Sequence, residues 1–374
     1  MRFCEVLIEL VSPAVLASRR TERGYLSPLS YIPATTLRGA ILSSLYYSGI
    51  LDEDYLRSES DFPSVFTSPA YPLTNNGKSY PCHPFAYRCK LPHNGKYESK
   101  IYAHEVIDAL ELNVTPRFRH TCGLGHIACL EEVHPSPVIP KGETFEKVSL
   151  TYEHVICVGM SSARAASRRQ LLYEYEALAA GQRFWFRLAA PDEIVKGLEK
   201  DVELCIGRGI SRGFGRARIL EVRSASLGEL GERVRQIYSD KRFIALYSIS
   251  HLIPTHERQN CLIEVGLGDV GNRCGVNASG KILVKKIYGR CGSLQLGWDM
   301  LRGRRPVISP AWKPGSIAIA EFKDLEGAWG EAVAALAYIG TPEILLDKAG
   351  RPWPIVGVNV MEPLRLSPML GEVR

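Results

Sequence analysis

No stretch of this 374-residue chain approaches the roughly 20 consecutive apolar residues that a membrane-spanning helix needs; the best candidate is the short WGEAVAALAYIG at residues 329–340. A membrane role is therefore not expected. The opening MRFCEVLIELVSP has an arginine and then an acidic residue among its apolar ones. It lacks the long apolar core and small-residue cleavage site of a signal peptide, so a cytoplasmic protein is expected. No tandem repeat of short period occurs, which argues against a solenoid. There is no aspartate before Asp52 and no histidine before His83. The early part of the chain thus lacks the two side chains most used to move a proton or to activate a hydroxyl. No His-Glu-x-x-His or deaminase signature is present, so a catalytic zinc is not expected.

What is there in quantity is apolar surface: 45% of residues are hydrophobic, enough at this length for two cores. Lys and Arg number 46 against 40 Asp and Glu, a net charge of +6. That balance is compatible with nucleic acid without requiring it. Ten cysteines are spread over the whole chain, which is not the pattern of a small disulfide-stapled domain.

Residues 3–11 (FCEVLIELV) read as an opening strand, ASRRTERGYLSP as a polar loop, and ATTLRGAILSSLYYSG as a helix. In that helix Leu37, Ala40, Ile41 and Leu45 share one face, Thr35 or Thr36 is the N-cap and Gly49 the stop. From about Asp52 to Pro140, Pro, Asn, Gly, His and Tyr are frequent and neither period is sustained, so this interval reads as a large insertion. Regular pattern resumes with VSLTYEHVICVG as a strand, RRQLLYEYEALAAG as a helix closed by Gly181, QRFWFRLAA as a strand and DEIVKGLEK as a helix. Residues 148–223 thus alternate strand and helix much as a split β-α-β unit does. After residue 223, FIALYSIS, KILVKKIYG and GSIAIAEF read as strands and WGEAVAALAYIG as the one helix.

Two motifs carry chemistry. In Tyr31-Ile32-Pro33-Ala34-Thr35-Thr36-Leu37-Arg38-Gly39-Ala40, a helix start with two hydroxyls and a cation one turn in is suited to phosphate. Equally, Thr35 and Thr36 can simply cap a helix whose Arg38 is solvated. The second motif is Gly207-Arg208-Gly209-Ile210-Ser211-Arg212-Gly213-Phe214-Gly215-Arg216-Ala217-Arg218. Four glycines permit close approach and positive φ, four arginines supply charge with no acidic residue among them, and Phe214 is placed to stack on a base. It is neither a dinucleotide fingerprint, since a strand follows it, nor a phosphate loop, since no Gly-Lys-Ser or Gly-Lys-Thr closes it. A purely structural turn is the other reading.

Taken in this order, about 170 residues apart, the pair resembles the RAMP superfamily of CRISPR-associated proteins. There an Ile-Pro-x-Ser/Thr-x-Leu-Arg-Gly segment opens the first helix, and a glycine-rich Arg-Gly-Phe-Gly loop lies late in the domain. Ala34 stands here where glycine is commoner. Leu171-Leu172-Tyr173, Glu176-Ala177-Leu178, Gly181, Phe184, Gly297-Trp298 and Gly315-Ser316 look like the subfamily of type III-D systems, grouped with subunits that cap the 5′ handle of the guide RNA.

The resemblance implies an α+β fold: two ferredoxin-like (RRM-like) RAMP domains with a large Cys/His-containing insertion. The first domain spans 1–230 including the insertion 52–140, and the second spans 240–374. It implies a non-catalytic subunit of a type III CRISPR effector acting in antiviral defence. Its partners would be a guide RNA (crRNA), a large polymerase-like subunit and RAMP backbone subunits. The expected RNA-binding residues are Thr35, Thr36, Arg38, Gly207, Arg208, Gly209, Ser211, Arg212, Gly213, Phe214, Gly215 and Arg216, with arginines and glycine N–H groups on phosphates. Arg19, Arg20 and Arg23, and residues 281–305 with a local excess of six positive charges (Lys281, Lys285, Lys286, Arg290, Arg302, Arg304 and Arg305 against Asp299), either extend this surface or are solvated faces.

RAMP proteins also include ribonucleases, so a nuclease or backbone subunit cutting target or guide RNA is the alternative. The missing early Asp and His argue against it, and His154 and His251 read as structural. In the insertion, Cys82 and Cys89 are separated by six residues, as are Cys122 and Cys129, with His83, His93, His104, His120, His126 and His134 in or beside the interval. Family members carry a cysteine-containing insert here. A structural zinc on the four cysteines, or on a mix with His120 or His126, would stabilise a segment without a core. Free thiols in a loop are the other reading.

Overall fold

The computed structural model describes residues 1–21, 24–92, 97–117, 130–160, 167–200, 202–254, 262–296, 307–341, 343–346 and 352–370. These form a mixed α/β structure with several sheets and seven α-helices among the described residues. The chain opens with β1 (Arg2–Leu10), whose alternation buries Cys4, Val6, Ile8 and Leu10 on one face. The expected polar loop is instead a hairpin of β2 (Ala17–Thr21) and β3 (Gly24–Pro28). Helix α1 (Ala34–Tyr47) buries Leu37, Ala40, Ile41 and Leu45 as its periodicity requires, and Gly49 follows at φ +70°.

The insertion has more structure than its composition announces. It holds α2 (Glu53–Asp61), β4 (Tyr71–Thr74), α3 (Ala103–Glu111) and further short strands. Tyr71, Tyr80, Phe85, Ile101, Val106, Ile107, Leu110 and Val138 are buried there, packed with Phe145 and with Ala245, Tyr247, Ile317 and Ile319 of the chain's last third.

Next come β5 (Tyr152–Met160) and β6 (Ser167–Leu178), an antiparallel pair. Residues 168–181 were expected to be helical, and the structure corrects this. Tyr175 and Ala177 are buried while Glu174 and Glu176, alternating with them, are partly exposed, a period of two. Strand β6 also pairs in parallel with β3, giving the sheet order β5-β6-β3-β2. Then follow β7 (Arg183–Ala190), α4 (Asp192–Leu198), β8 (Glu203–Cys205), β9 (Arg216–Ala225) and α5 (Leu227–Tyr238).

The first large sheet runs β8-β9-β1-β7-β4, with antiparallel neighbours throughout. Of the four strands β1, β4, β7 and β9, the last lies beside the first, and the third separates the first from the second. The closing third of the chain repeats this connectivity with β10 (Phe243–Ser248), α6 (Leu267–Cys274), β11 (Ala278–Tyr288), β12 (Ile317–Gly327), α7 (Trp329–Ile339) and β13 (Met361–Pro363), in the order β11-β12-β10-β13. Two helices, α5 and α6, stand beyond residue 225 where only α7 was expected, because short amphipathic turns such as Leu267–Cys274 are punctuated by glycine. Phe3, Phe66 and Ala189 of the first half share a core with α7 and β10, so the two halves are packed together.

Candidate nucleic-acid interface

The glycine-rich segment joins β8 to β9 at the edge of the first sheet. Gly207, Gly209, Gly213 and Gly215 have φ of +88°, +76°, +88° and +77°, around a 3-10 turn at Ile210–Arg212. A side chain at Gly215 would place its Cβ 2.0 Å from the Ile206 carbonyl oxygen, and one at Gly207 would lie 2.6 Å from that of Val15. The loop is tied to the chain just after β1: Gly215 N–H donates to Pro13 O (2.8 Å) and Arg208 N–H to Val15 O (3.2 Å). The amides of Arg208, Arg212, Gly213, Phe214 and Gly215 all donate to backbone carbonyls within the protein. This corrects part of the expectation: the N–H groups of Gly213 and Gly215 close the loop and do not face a ligand.

Two substitutions separate these roles. Gly215→Ala should lower stability by about 3 kcal/mol, through positive φ and contact with fixed backbone. Gly213→Ala, whose Cβ meets nothing within 4 Å, should cost only about 1 kcal/mol from φ alone. Urea unfolding of the two variants checks this; equal losses would mean that the packing at Gly215 is immaterial.

The arginines divide as well. Arg216 is paired bidentately with Glu203, Nε to Oε1 at 2.6 Å and Nη2 to Oε2 at 2.7 Å, and this holds the Glu203 carboxyl below its usual range. Arg218 is paired with Glu9, Nε to Oε2 at 2.7 Å. The local count of unopposed positive charge thus overstated the loop, since its carboxylates come from β1 and β8. Arg212 is exposed, and no carboxylate among the described residues pairs with it. Its Nη1 donates to the hydroxyls of Tyr173 (2.9 Å) and Tyr175 (2.7 Å) on β6. Ser211 beside it is exposed and Arg208 is half-buried.

Phe214 is not placed to stack on a base. It is 8% exposed, its ring lies 5.6 Å from that of Tyr175, and it packs with Val15 and Ala177. The two tyrosines are the residues that sequence reasoning missed. Their alternation with Glu174 was the available signal, and it was absorbed into a helical reading.

The first motif is separate from the second. Pro33, not a threonine, occupies the N-cap of α1, and no side chain caps it. Proline brings no side-chain acceptor, and its carbonyl accepts from the Thr36 and Leu37 N–H groups. Thr35 and Thr36 are partly exposed in the first turn. Arg38 is turned inward: Nη2 donates to Glu59 Oε2 (2.6 Å) and Glu59 O (2.9 Å), and Nε to Val65 O (3.0 Å). Its charge serves the junction of α1 and α2. The start of α1 abuts Thr67, whose hydroxyl donates to Ala34 O (2.9 Å), and Gly357. Among the described residues no hydrogen bond links it to residues 207–216.

The other basic groups are partly neutralised. Lys281 pairs with Glu264 (2.7 Å), Lys285 with Glu321 (3.3 Å) and Arg290 with Glu132 (2.9 Å), while Lys286 donates to Thr115 Oγ1 (3.2 Å). Arg19 and Arg20 lie on β2, and their side chains, like Arg23, Trp298, Arg302, Arg304 and Arg305, lie outside the described residues.

The proposed metal ligands are divided too. Cys82 and Cys89 are buried, and burial pushes the Cys82 thiol up, with Sγ donating to His83 O (3.8 Å). Cys122 and Cys129, with His120 and His126, lie outside the described residues. Among the described residues no three His, Cys, Asp or Glu side chains form a metal-binding group. The insertion does not lack a core, since the apolar cluster around Tyr71, Phe85 and Val106 supplies one.

No family model matches the chain, and no curated protein matches its sequence. Among solved structures, a chain of the type III-B Cmr-beta complex bound to cognate target RNA and AMPPnP is similar over 84% of this chain and 86% of that one, at 13% identity and a TM-score of 0.48. A chain of Cmr-beta bound to cognate target RNA gives the same coverage at 12% identity and 0.47. Oligomeric Cmr4 from Pyrococcus furiosus is similar over 60% of this chain and all of its own (100%), at 12% identity and 0.28.

Proposed function

We propose that this chain is a non-catalytic RAMP subunit of a type III CRISPR ribonucleoprotein that binds the 5′ repeat-derived handle of a guide RNA. The fold supports the reading first. In each half the strand order fourth-first-third-second, with helices after the first and third strands, is consistent with a ferredoxin-like module and supports that part of the proposal. The observation that carries the proposal is the glycine-rich loop between β8 and β9, which presents Arg212 to solvent free of any carboxylate among the described residues. The open face of the first sheet is a weaker candidate, because Lys78–Glu5, Arg218–Glu9 and Arg216–Glu203 already balance its charge. Binding is thus assigned to the loop in preference to the sheet. A single loop cation contributes mainly through phosphate contact.

The geometry also supports a binder over a nuclease. Asp52, the first aspartate, caps α2 by accepting from Tyr55 N–H (2.8 Å). His83, His134 and His251 are buried with lowered pKa, while His154 is held by Glu174 (2.6 Å). The partners in this reading are guide RNA, a large polymerase-like subunit and RAMP backbone subunits, in the cytoplasm.

The test is a titration of the full chain with labelled guide RNA carrying its handle and with handle-less RNA, in EDTA, followed by gel analysis. We expect preference for the handle, affinity falling steeply with salt, intact RNA, and roughly tenfold weaker binding by an Arg208→Ala/Arg212→Ala variant. Cleaved RNA would instead establish the ribonuclease alternative. Equal affinity for both RNAs would remove the handle assignment.

A further inference from the structure

The loop that carries the proposed RNA contact is not self-sufficient. Arg212 is an exposed side chain at the end of a three-residue turn, and nothing in its own loop fixes its direction. Two tyrosines from a different sheet do so. Tyr173 and Tyr175 lie two apart on β6 and point to the same face, with rings 5.5 Å apart and perpendicular (90°). Tyr175 is anchored from below by Phe214, Val15 and Ala177. Both hydroxyls accept from the same nitrogen of Arg212, Nη1, at 2.9 and 2.7 Å.

Nη1 has two protons, so this pair of bonds uses both. The edge of the guanidinium formed by Nε–H and one Nη2–H is left without a hydrogen-bond acceptor among the described residues. That edge is the one whose two parallel N–H groups match a pair of phosphate oxygens. A solvated arginine would sample many rotamers and lose that entropy on binding. One seated on two hydroxyls has lost much of it already.

We propose that Tyr173 and Tyr175 are positioning residues for phosphate recognition: they hold Nη1 of Arg212 so that its Nε/Nη2 edge meets one RNA phosphodiester. The proposal rests on the RNA-binding reading of this loop and extends it to strand β6. The tyrosines act through Arg212 and need not touch RNA.

The experiment is a double-mutant cycle on the full chain with handle-bearing guide RNA: wild type, Arg212→Ala, Tyr173→Phe/Tyr175→Phe, and the combination. Phenylalanine keeps the ring packing and removes only the hydroxyls, so melting temperatures should stay close to wild type. Arg212→Ala should weaken binding roughly five- to tenfold and reduce the slope of log K against log salt by about 0.7, one single-strand phosphate contact. The double phenylalanine variant should lose roughly threefold or more with a reduced slope, and should lose nothing further when Arg212 is already alanine. A loss of the same size on both backgrounds, or no loss on wild type, overturns the positioning role. If Arg212→Ala alone leaves affinity and slope unchanged, the RNA reading of the loop fails, and that result is visible before the tyrosines are considered.

Discussion

Replacing Arg187 by methionine should destabilise the protein by about 3–5 kcal/mol, more than any surface change in the chain. Arg187 lies on β7 of the first half and Glu362 on β13 of the second, with Nη2 2.6 Å from Oε2 and side-chain exposures of 13% and 7%. The guanidinium is also near the rings of Tyr338 (5.6 Å) and Trp185 (5.9 Å). The other carboxylate oxygen, Oε1, is buried and has no hydrogen-bond partner among the described residues. Removing Arg187 would therefore leave a buried carboxylate with neither oxygen paired in this ion pair, the costly case for a buried charge. The expected fall in melting temperature is on the order of 10 °C. Arg187→Met/Glu362→Leu should recover most of it, because two apolar groups of similar volume need no partner. If the single variant melts as wild type does, the two halves are not coupled through this pair.

Such pairs mark the limit of what the sequence could disclose. Strand β1 and helix α1 were legible because their apolar residues keep one period over nine and 14 residues. Strand β7 and helices α4 and α7 were legible for the same reason. Strand β6 was not, since Leu171, Leu172, Tyr175 and Leu178 fit a helical stripe as well as a strand, and the deciding contact is with β5 and with β3 some 150 residues earlier. The insertion hid its core because each piece is too short to show a period. Tyr80 lies in a two-residue strand and Ile101 in a three-residue one.

Charge was the least legible feature. Arg38 is answered by Glu59, 21 residues on, and Arg216 by Glu203, 13 residues back. No window of local charge could have separated them from Arg212, whose neighbours turned out to be hydroxyls. The glycine positions were read correctly as needing positive φ, but their first purpose is to let the loop close on Pro13 and Val15.

The buried imidazoles lead to the remaining large effect: the fold should weaken as pH falls from about 6.5 to 5, before most carboxylates titrate. In His83, Nδ1 accepts from Phe85 N–H (3.0 Å), which leaves Nε2–H to donate to Met369 O (3.1 Å). In His134, Nδ1 meets Cys82 O (2.6 Å) while Nε2 accepts from Arg290 N–H (3.2 Å). Each ring is thereby fixed as a neutral tautomer, and a second proton would destroy one of its bonds. Burial lowers His83 to about 4, with the neighbouring His134 adding to it, and lowers His251 to about 3, with Lys313 adding to it. Above pH 6.5 these rings are neutral in both folded and unfolded chains, so the stability is fully present. Below it the unfolded chain takes up protons that the fold refuses, and stability is lost progressively toward pH 4 and 3. At pH 5 the loss is about 2 kcal/mol for each of His83 and His251, a large part of an ordinary folding free energy. Glu203, Glu321 and Asp192, held below their usual values by Arg216, Arg242 and Lys196, should contribute only at lower pH. Urea midpoints between pH 7.5 and 5 test this, with His83→Gln as control, since its amide can accept from Phe85 and donate to Met369 without titrating. The variant should show a slope shallower by about one proton near pH 5. A wild-type stability that stays flat from pH 6.5 to 5 would mean that both rings reach water and titrate as free imidazoles, against the burial found for them.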